Sequence, residues 1–209
     1  MSSAGAPAGT TEVPTGNTYD KYGSSNPLVR RLMEGFERDL FELLARAAPA
    51  SIADIGCGEG VLTERWADHI SGRVAGIDLD DPKLRAEWAR RTRPNLDFRV
   101  EEATSLSFAD DQFEMACATE VLEHVPQPEA TLAEMARVAS RYLLVSVPRE
   151  PVWRALNMAR GAYWRDLGNT PGHVNHWSRR SFVDLLSRYG TVEEARSPFP
   201  WTMVLVRPD

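Results

Sequence analysis

The residues with most chemical potential sit in one short run, Asp54-Ile55-Gly56-Cys57-Gly58-Glu59-Gly60, where an apolar segment (Ser51 to Ile55) meets a helical pattern beginning near Val61. A glycine turn between strand and helix lets the backbone approach a ligand and aims free amides at it, which suits a nucleotide-like or carboxylate-bearing cofactor. The plain alternative is a tight turn with no ligand. The next apolar segment, Arg73 to Ile77, runs into Asp78-Leu79-Asp80. A carboxylate at that strand end can accept hydrogen bonds from both ribose hydroxyls; Asp78 equally suits a cap on the helix that follows. The dinucleotide fingerprint G-x-G-x-x-G, laid on Gly56 and Gly58, requires glycine where this chain has Val61, which weakens a nicotinamide-cofactor assignment.

Four histidines are available for proton transfer. His69 falls late in a helical stretch and reads as surface or packing. His173 and His176, in Gly172-His173-Val174-Asn175-His176-Trp177, have a spacing that suggests a metal pair. No nearby cysteine or acidic cluster completes a zinc or iron set, so no metal is expected. Cys57 and Cys117 are the only cysteines and sit in glycine-rich or apolar contexts, where a reduced buried thiol fits better than an extracellular crosslink.

These groups need a scaffold. Asn26-Pro27 gives an N-cap and a first-turn proline, followed by Leu28, Leu32, Phe36, Leu40 and Leu43 at helical spacing, with an end near Pro49. From Ser51 short apolar strands alternate with helical stretches, the pattern of a parallel sheet covered on both faces. Strands are expected at about 51–55, 73–77, 96–100, 113–118 and 141–147, with two more near 191–196 and 201–207. Helices are expected at about 60–69, 82–92, 128–139 and 179–189, the last with a stripe of Phe182, Leu185, Leu186 and Tyr189. Residues 1–18 are rich in Ser, Ala, Gly, Pro and Thr and are expected to form a mobile tail before a single domain over 19–209. Arg149 to Trp177 is too long for an ordinary connection, and an insertion at the carboxyl edge of a sheet often covers a ligand. It is the candidate lid.

Composition narrows the function. At roughly 150 residues per domain, 209 residues suit one domain with additions. Hydrophobic residues at 43% and charged residues at 26% are ordinary globular values. Lys and Arg number 24 against 30 Asp and Glu, so the formal charge is 24 − 30 = −6 and no global basic field exists to hold a nucleic acid. No apolar run reaches the roughly 18 to 20 residues needed to span a bilayer, and a cytoplasmic location is expected.

The motifs resemble those of the class I S-adenosylmethionine-dependent methyltransferases, in particular the small-molecule type whose first motif reads D-x-G-C-G-x-G. The resemblance covers about residues 50–147 and takes in four motifs in order. They are Asp54 to Gly60, Glu101-Glu102-Ala103, the run from Leu106 through Phe108 to Phe113, and Glu120-Val121-Leu122-Glu123-His124-Val125. It implies a Rossmann-like α/β fold with a seven-stranded, mostly parallel sheet whose last strand is antiparallel. It further implies that Asp54 organises the turn near the methionine ammonium while the amides of Ile55, Gly56, Cys57, Gly58 and Gly60 line the methionine portion. By the same resemblance Asp78 binds ribose, Leu79 packs on adenine or ribose, and Glu102 with the amide of Ala103 holds the adenine. Thr119, Glu120 and Val121 would lie beside the transferred methyl. The family more often has aspartate than Glu102, which lengthens the arm and keeps its acceptor chemistry. Glu102 equally suits a solvated surface acid, and Leu79 a core position.

In related methyltransferases a histidine in a context like Gly172-His173-Val174 borders the acceptor pocket, which makes His173 a candidate base or a tie between lid and sheet. His124 and His176 are further catalytic candidates, His124 equally suiting a structural hydrogen bond. The family often folds an N-terminal segment over the cofactor, so Tyr19 is assigned to the cofactor and Tyr22 to the acceptor. Trp153, Tyr163, Trp164 and Arg149 from the lid are expected to bind the acceptor. The lid's aromatic and arginine mixture also suits an amphipathic helix completing the core, or peripheral membrane contact. Methyl transfer to a hydroxyl of a small molecule is the expected function, with an amine next. Nucleic-acid bases are disfavoured because Ala118-Thr119-Glu120-Val121 lacks the D/N-P-P-Y/F pattern. Protein acceptors, a non-catalytic binding module and a nicotinamide-dependent oxidoreductase are the alternatives; acceptor identity and oligomeric state are not legible.

Overall fold

The computed structural model describes residues 26–209, so Tyr19, Tyr22 and the expected tail lie outside the described residues. Seven strands form one sheet in the order β3-β2-β1-β4-β5-β7-β6. They are β1 (Ile52–Ile55), β2 (Val74–Asp78), β3 (Leu96–Val100), β4 (Phe113–Thr119), β5 (Ala139–Pro148), β6 (Gly190–Arg196) and β7 (Trp201–Pro208). The first five pair in parallel. β7 inserts between β5 and β6 and is antiparallel to both, so the expected Rossmann-like fold with an antiparallel last strand is the one observed. Strands buried on both faces need unbroken apolar runs. Accordingly all four residues of β1 and the first four of β2 are buried.

Helix α1 (Pro27–Ala47) starts where expected: the Asn26 side chain accepts from the Leu28 amide at 2.9 Å, and Pro27 occupies the first turn. Its inner stripe is Met33, Phe36, Leu40, Leu43 and Leu44, all buried. Leu28 was expected on that stripe but is 66% exposed, and it borders a cavity described below. Helices α2 (Val61–His69) and α4 (Pro128–Val138) follow the predicted plan, α6 (Arg179–Leu186) starts where expected, and α5 (Val152–Ala159) lies in the segment read as a lid, where no helix was placed. Two apolar layers result, one centred on Phe36, Trp66, Met115 and Leu205, the other on Ile77, Phe113, Leu132 and Phe182.

Two helices are shorter than expected. α3 (Pro82–Trp88) stops four residues early. Its last residue is anchored: the Trp88 ring stacks on Phe98 with centroids 5.2 Å apart, and its Nε1–H donates to the Gly58 carbonyl at 2.8 Å. The chain then turns before Pro94, which cannot continue a helix. α6 ends at Leu186, so Tyr189 leaves the stripe, and its hydroxyl donates to the Glu129 carbonyl at 3.0 Å. No helix among the described residues is long and apolar enough to cross a membrane.

Candidate active site

Strand order reverses between β1 and β4, the place where open α/β sheets bind ligands outside the carboxyl ends of their strands. The glycine turn lies there. Gly56, Gly58 and Gly60 have φ of +72°, +55° and +76°, values a side chain strains to reach. The amides of Gly56 and Cys57 both donate to the Ile77 carbonyl, at 2.7 and 3.0 Å, tying the turn to β2. A Cβ on Gly56 would come within 2.5 Å of Val121 Cγ2. The backbone here is bare because Val121, after β4, closes over it.

Asp78 takes the strand-end position predicted for it, and the helix-cap alternative fails because Asp81 caps α3 by accepting from the Lys83 amide at 2.7 Å. The two Asp78 oxygens accept from the Gly58 and Leu79 amides, each at 2.7 Å. Carboxylate oxygens carry about four acceptor positions in all, so capacity is left for hydroxyl donors. Burial raises the Asp78 pKa above the ordinary carboxylate value despite those amides. Asp54 is more extreme: 3% exposed, it accepts from the Thr63 hydroxyl at 2.7 Å, and burial pushes its pKa up to about 7. Burial also raises both thiols, Cys57 and Cys117, so neither is a thiolate nucleophile at neutral pH.

One cavity of about 1090 Å³ gathers most of the predicted residues. Asp54, Ile55, Gly56, Cys57 and Gly58 form its floor with Asp78 and Leu79. Glu102, exposed, and Ala103 line it after β3, and Thr119, Glu120 and Val121 after β4. Glu120 is held at φ +60°, and its Oε2 accepts from the Trp201 Nε1–H at 2.6 Å. Gly60 is not on the wall; it packs below the turn, where a Cβ would come within 2.6 Å of Phe98.

The 149–177 segment supplies Trp153, Leu156, Asn157, Arg160, Tyr163, Thr170 and His173 to the same cavity. Trp153 Nε1–H donates to the Thr170 hydroxyl at 2.9 Å. Trp164, Arg149 and His176 do not line it. Trp164 is 63% exposed on a short 3-10 turn, the Arg149 guanidinium sits over the Phe199 ring, and His176 Nε2 bonds Asn169 Oδ1 at 2.7 Å. Among the described residues Arg160 is the arginine of this segment that reaches the wall.

His176 is therefore not the neighbour of His173. His173, 7% exposed, meets His124 instead, their rings edge to face with centroids 4.8 Å apart. Backbone bonds make this meeting: the Val174 and Asn175 amides donate to the Glu123 carbonyl, and Asn175 Nδ2 donates to the Leu122 and Val125 carbonyls at 2.9 and 2.6 Å. Trp201, Asn157 and Leu156 are among the wall residues that the sequence reasoning missed. Trp201 gave no signal beyond a β-strand aromatic. Asn157 is a buried amide in α5 that donates to the Gly168 carbonyl; a lone polar residue in an otherwise apolar stripe was the available cue. Leu156 lay in the lid's aromatic mixture without being assigned to the acceptor.

Sheet order, switch-point turn and strand-end carboxylate define a class I methyltransferase fold. Residues 53–141 match the family model described as a methyltransferase domain. A ubiquinone biosynthesis O-methyltransferase of Hahella chejuensis is 33% identical over 158 residues, covering 66% of this chain and 65% of that protein. A demethylmenaquinone methyltransferase of Paenarthrobacter aurescens is 33% identical over 113 residues, covering 50% and 42% respectively. The chain thus spans less than two thirds of these relatives' length. The magnesium protoporphyrin IX methyltransferase of Synechocystis PCC 6803, solved with bound SAH, superposes with a TM-score of 0.64 at 15% identity, over 90% of each chain.

Proposed function

We propose that the protein transfers a methyl group from S-adenosylmethionine to a hydroxyl of a small organic acceptor, with an amine as the second choice. The observation that carries this is a single cavity at the β1/β4 switch point, with the left-handed glycine turn and Asp78 on its floor and the His124–His173 pair on its wall. The pieces fit such a cofactor. The turn has room only for bare backbone, Asp78 retains acceptor capacity for ribose hydroxyls, and Glu102 with the Ala103 amide offers an acceptor and a donor to a base edge.

S-adenosylmethionine, when bound, supplies an electrophilic methyl group on a sulfonium. The protein's share is alignment and exclusion of water, since such a displacement is in line. Asp54 holds the turn through Thr63 and would ionise as the counter-charge when the cofactor's ammonium is beside it, since a nearby cation favours the carboxylate. Thr119, Glu120 and Val121 form the wall beside the methyl position. Segment 149–177 acts as the lid, Trp153 and Tyr163 offering aromatic surface and Arg160 a cation to the acceptor. His124 and His173 face the acceptor's proton. His124 Nδ1 lies 3.0 Å from the Gly172 carbonyl, which can only accept, so Nδ1 carries the hydrogen and Nε2 has the lone pair in the neutral ring. That is the form a general base requires.

The relatives' quinone-biosynthesis names support hydroxylated aromatic compounds as the first acceptors to screen. The acidic composition and free cysteines support a cytoplasmic location. Turnover is tested by measuring S-adenosylhomocysteine formation against panels of hydroxylated aromatics and amines. Turnover with hydroxyl acceptors is expected. Turnover with amines alone would reverse the preference, and tight cofactor binding without turnover on either panel would favour a non-catalytic binding module.

A further inference from the structure

The Glu123–His124–His173 cluster offers a second way to handle the acceptor's proton, in which the imidazole lone pairs hold an ion instead of acting as a base. One ligand atom from each of these residues lies within 4.8 Å of the other two; His124 and His173 line the cavity that holds the glycine turn, and the Glu123 side chain is buried beside them. We propose that these three side chains bind a divalent cation whose remaining coordination positions face the cavity and take an oxygen of the acceptor. This rests on the methyltransferase assignment for its purpose, though not for its geometry.

Two independent features support it. First, His124 is set up as a ligand: Nδ1–H donates to the Gly172 carbonyl at 3.0 Å, and Nε2 is turned toward Glu123 Oε1, 4.0 Å away. A ligating imidazole almost always donates its other ring N–H to a carbonyl or carboxylate, which fixes tautomer and ring orientation. Second, the cluster is preorganised across the chain. Two amides next to His173 donate to the carbonyl of Glu123, and Asn175 clamps the carbonyls on either side, while the Asn169 amide nitrogen donates to the His173 carbonyl at 3.2 Å. These bonds hold residues some 50 positions apart in one place. The Glu123 carboxylate is nearly inaccessible, at 2% side-chain exposure, and His173 is 7% exposed.

The donor set selects the ion. Two imidazoles and one carboxylate favour zinc, cobalt, iron or manganese over magnesium or calcium, which prefer all-oxygen shells. Three protein ligands with open positions are the pattern of catalytic rather than structural sites. At metal–ligand lengths of about 2.1 Å, ligand atoms in a tetrahedral site stand roughly 3.4 Å apart, so the three would draw together by up to about 1.4 Å through side-chain rotation. An acceptor oxygen on such an ion is a stronger acid, and this favours hydroxyl over amine acceptors at this site.

The test is a titration of the full, tag-free chain with Co²⁺, read by visible absorption and calorimetry, alongside S-adenosylhomocysteine binding. Saturation at one equivalent is expected. Glu123→Gln, His124→Ala and His173→Ala should each weaken Co²⁺ binding at least tenfold while S-adenosylhomocysteine affinity changes less than threefold, which also shows the variants folded. His69→Ala and His176→Ala should leave the titration unchanged. A wild-type chain that binds S-adenosylhomocysteine but shows no saturable Co²⁺ site overturns the proposal, as does one-equivalent binding that survives all three cluster substitutions. Loss of S-adenosylhomocysteine binding by the wild type, with the Co²⁺ site intact, would instead overturn the methyltransferase assignment alone.

Discussion

Asp54→Asn should change how the protein's stability responds to pH. Asp54 is buried at 3% exposure and accepts from the Thr63 hydroxyl, a bond an asparagine oxygen can also accept. Its pKa rises from the ordinary 3.8 to about 7, chiefly by burial. Between those values the folded state keeps a proton that the unfolded chain has released, so stability falls as pH rises from about 4 to 7 and is level above. Each pH unit is worth about 1.36 kcal/mol. From pH 5 to pH 8 the titration spans about two units, and wild type should lose on the order of 3 kcal/mol that Asp54→Asn does not. Urea unfolding of both proteins at pH 5 and pH 8, followed by tryptophan fluorescence, isolates this term, because the other titrating groups are common to both. The stability of the variant relative to wild type should therefore improve by about 3 kcal/mol on going to pH 8. An equal difference at both pH values would refute the assignment of a buried Asp54 that stays neutral below about pH 7.

Other substitutions probe the floor and wall. Gly56→Ala sets a Cβ 2.5 Å from Val121 at φ +72°; it should cost about 1 to 3 kcal/mol of stability and weaken S-adenosylhomocysteine binding at least tenfold, checked by thermal melts and calorimetry. Asp78→Ala should weaken cofactor binding by about 1 to 3 kcal/mol through lost charge-assisted hydrogen bonds, and unchanged affinity would remove Asp78 from the ribose. His173→Ala should depress turnover strongly with cofactor affinity nearly intact; parallel losses of stability and turnover would make His173 a structural tie.

The sheet and the floor of the cavity were legible because local chemistry specifies them. Ser51 to Gly60 announces a buried strand, a bare turn and a helix in ten residues, and Asn26-Pro27 marks a helix start by capping alone. Element ends were less legible where a distant partner decides them: α3 stops at Trp88 because that ring stacks on Phe98, some ten residues on. The wall of the cavity was legible only in part, since its residues come from separate segments. His173 was visible, but its partner is His124 rather than the nearby His176, because backbone bonds to the Glu123 carbonyl bring the 173–175 segment there. Trp164 and Arg149 had suitable chemistry and the wrong direction, something that an irregular segment without periodicity does not encode.

The central claim is most directly tested by calorimetric titration of the full chain with S-adenosylhomocysteine and S-adenosylmethionine, with reduced nicotinamide dinucleotide as control. One-to-one binding of the first two in the micromolar range, reduced by about fivefold or more in Asp78→Ala, with no heat from the third, is the predicted result. A folded protein that binds neither, or that binds the nicotinamide cofactor instead, would contradict the account.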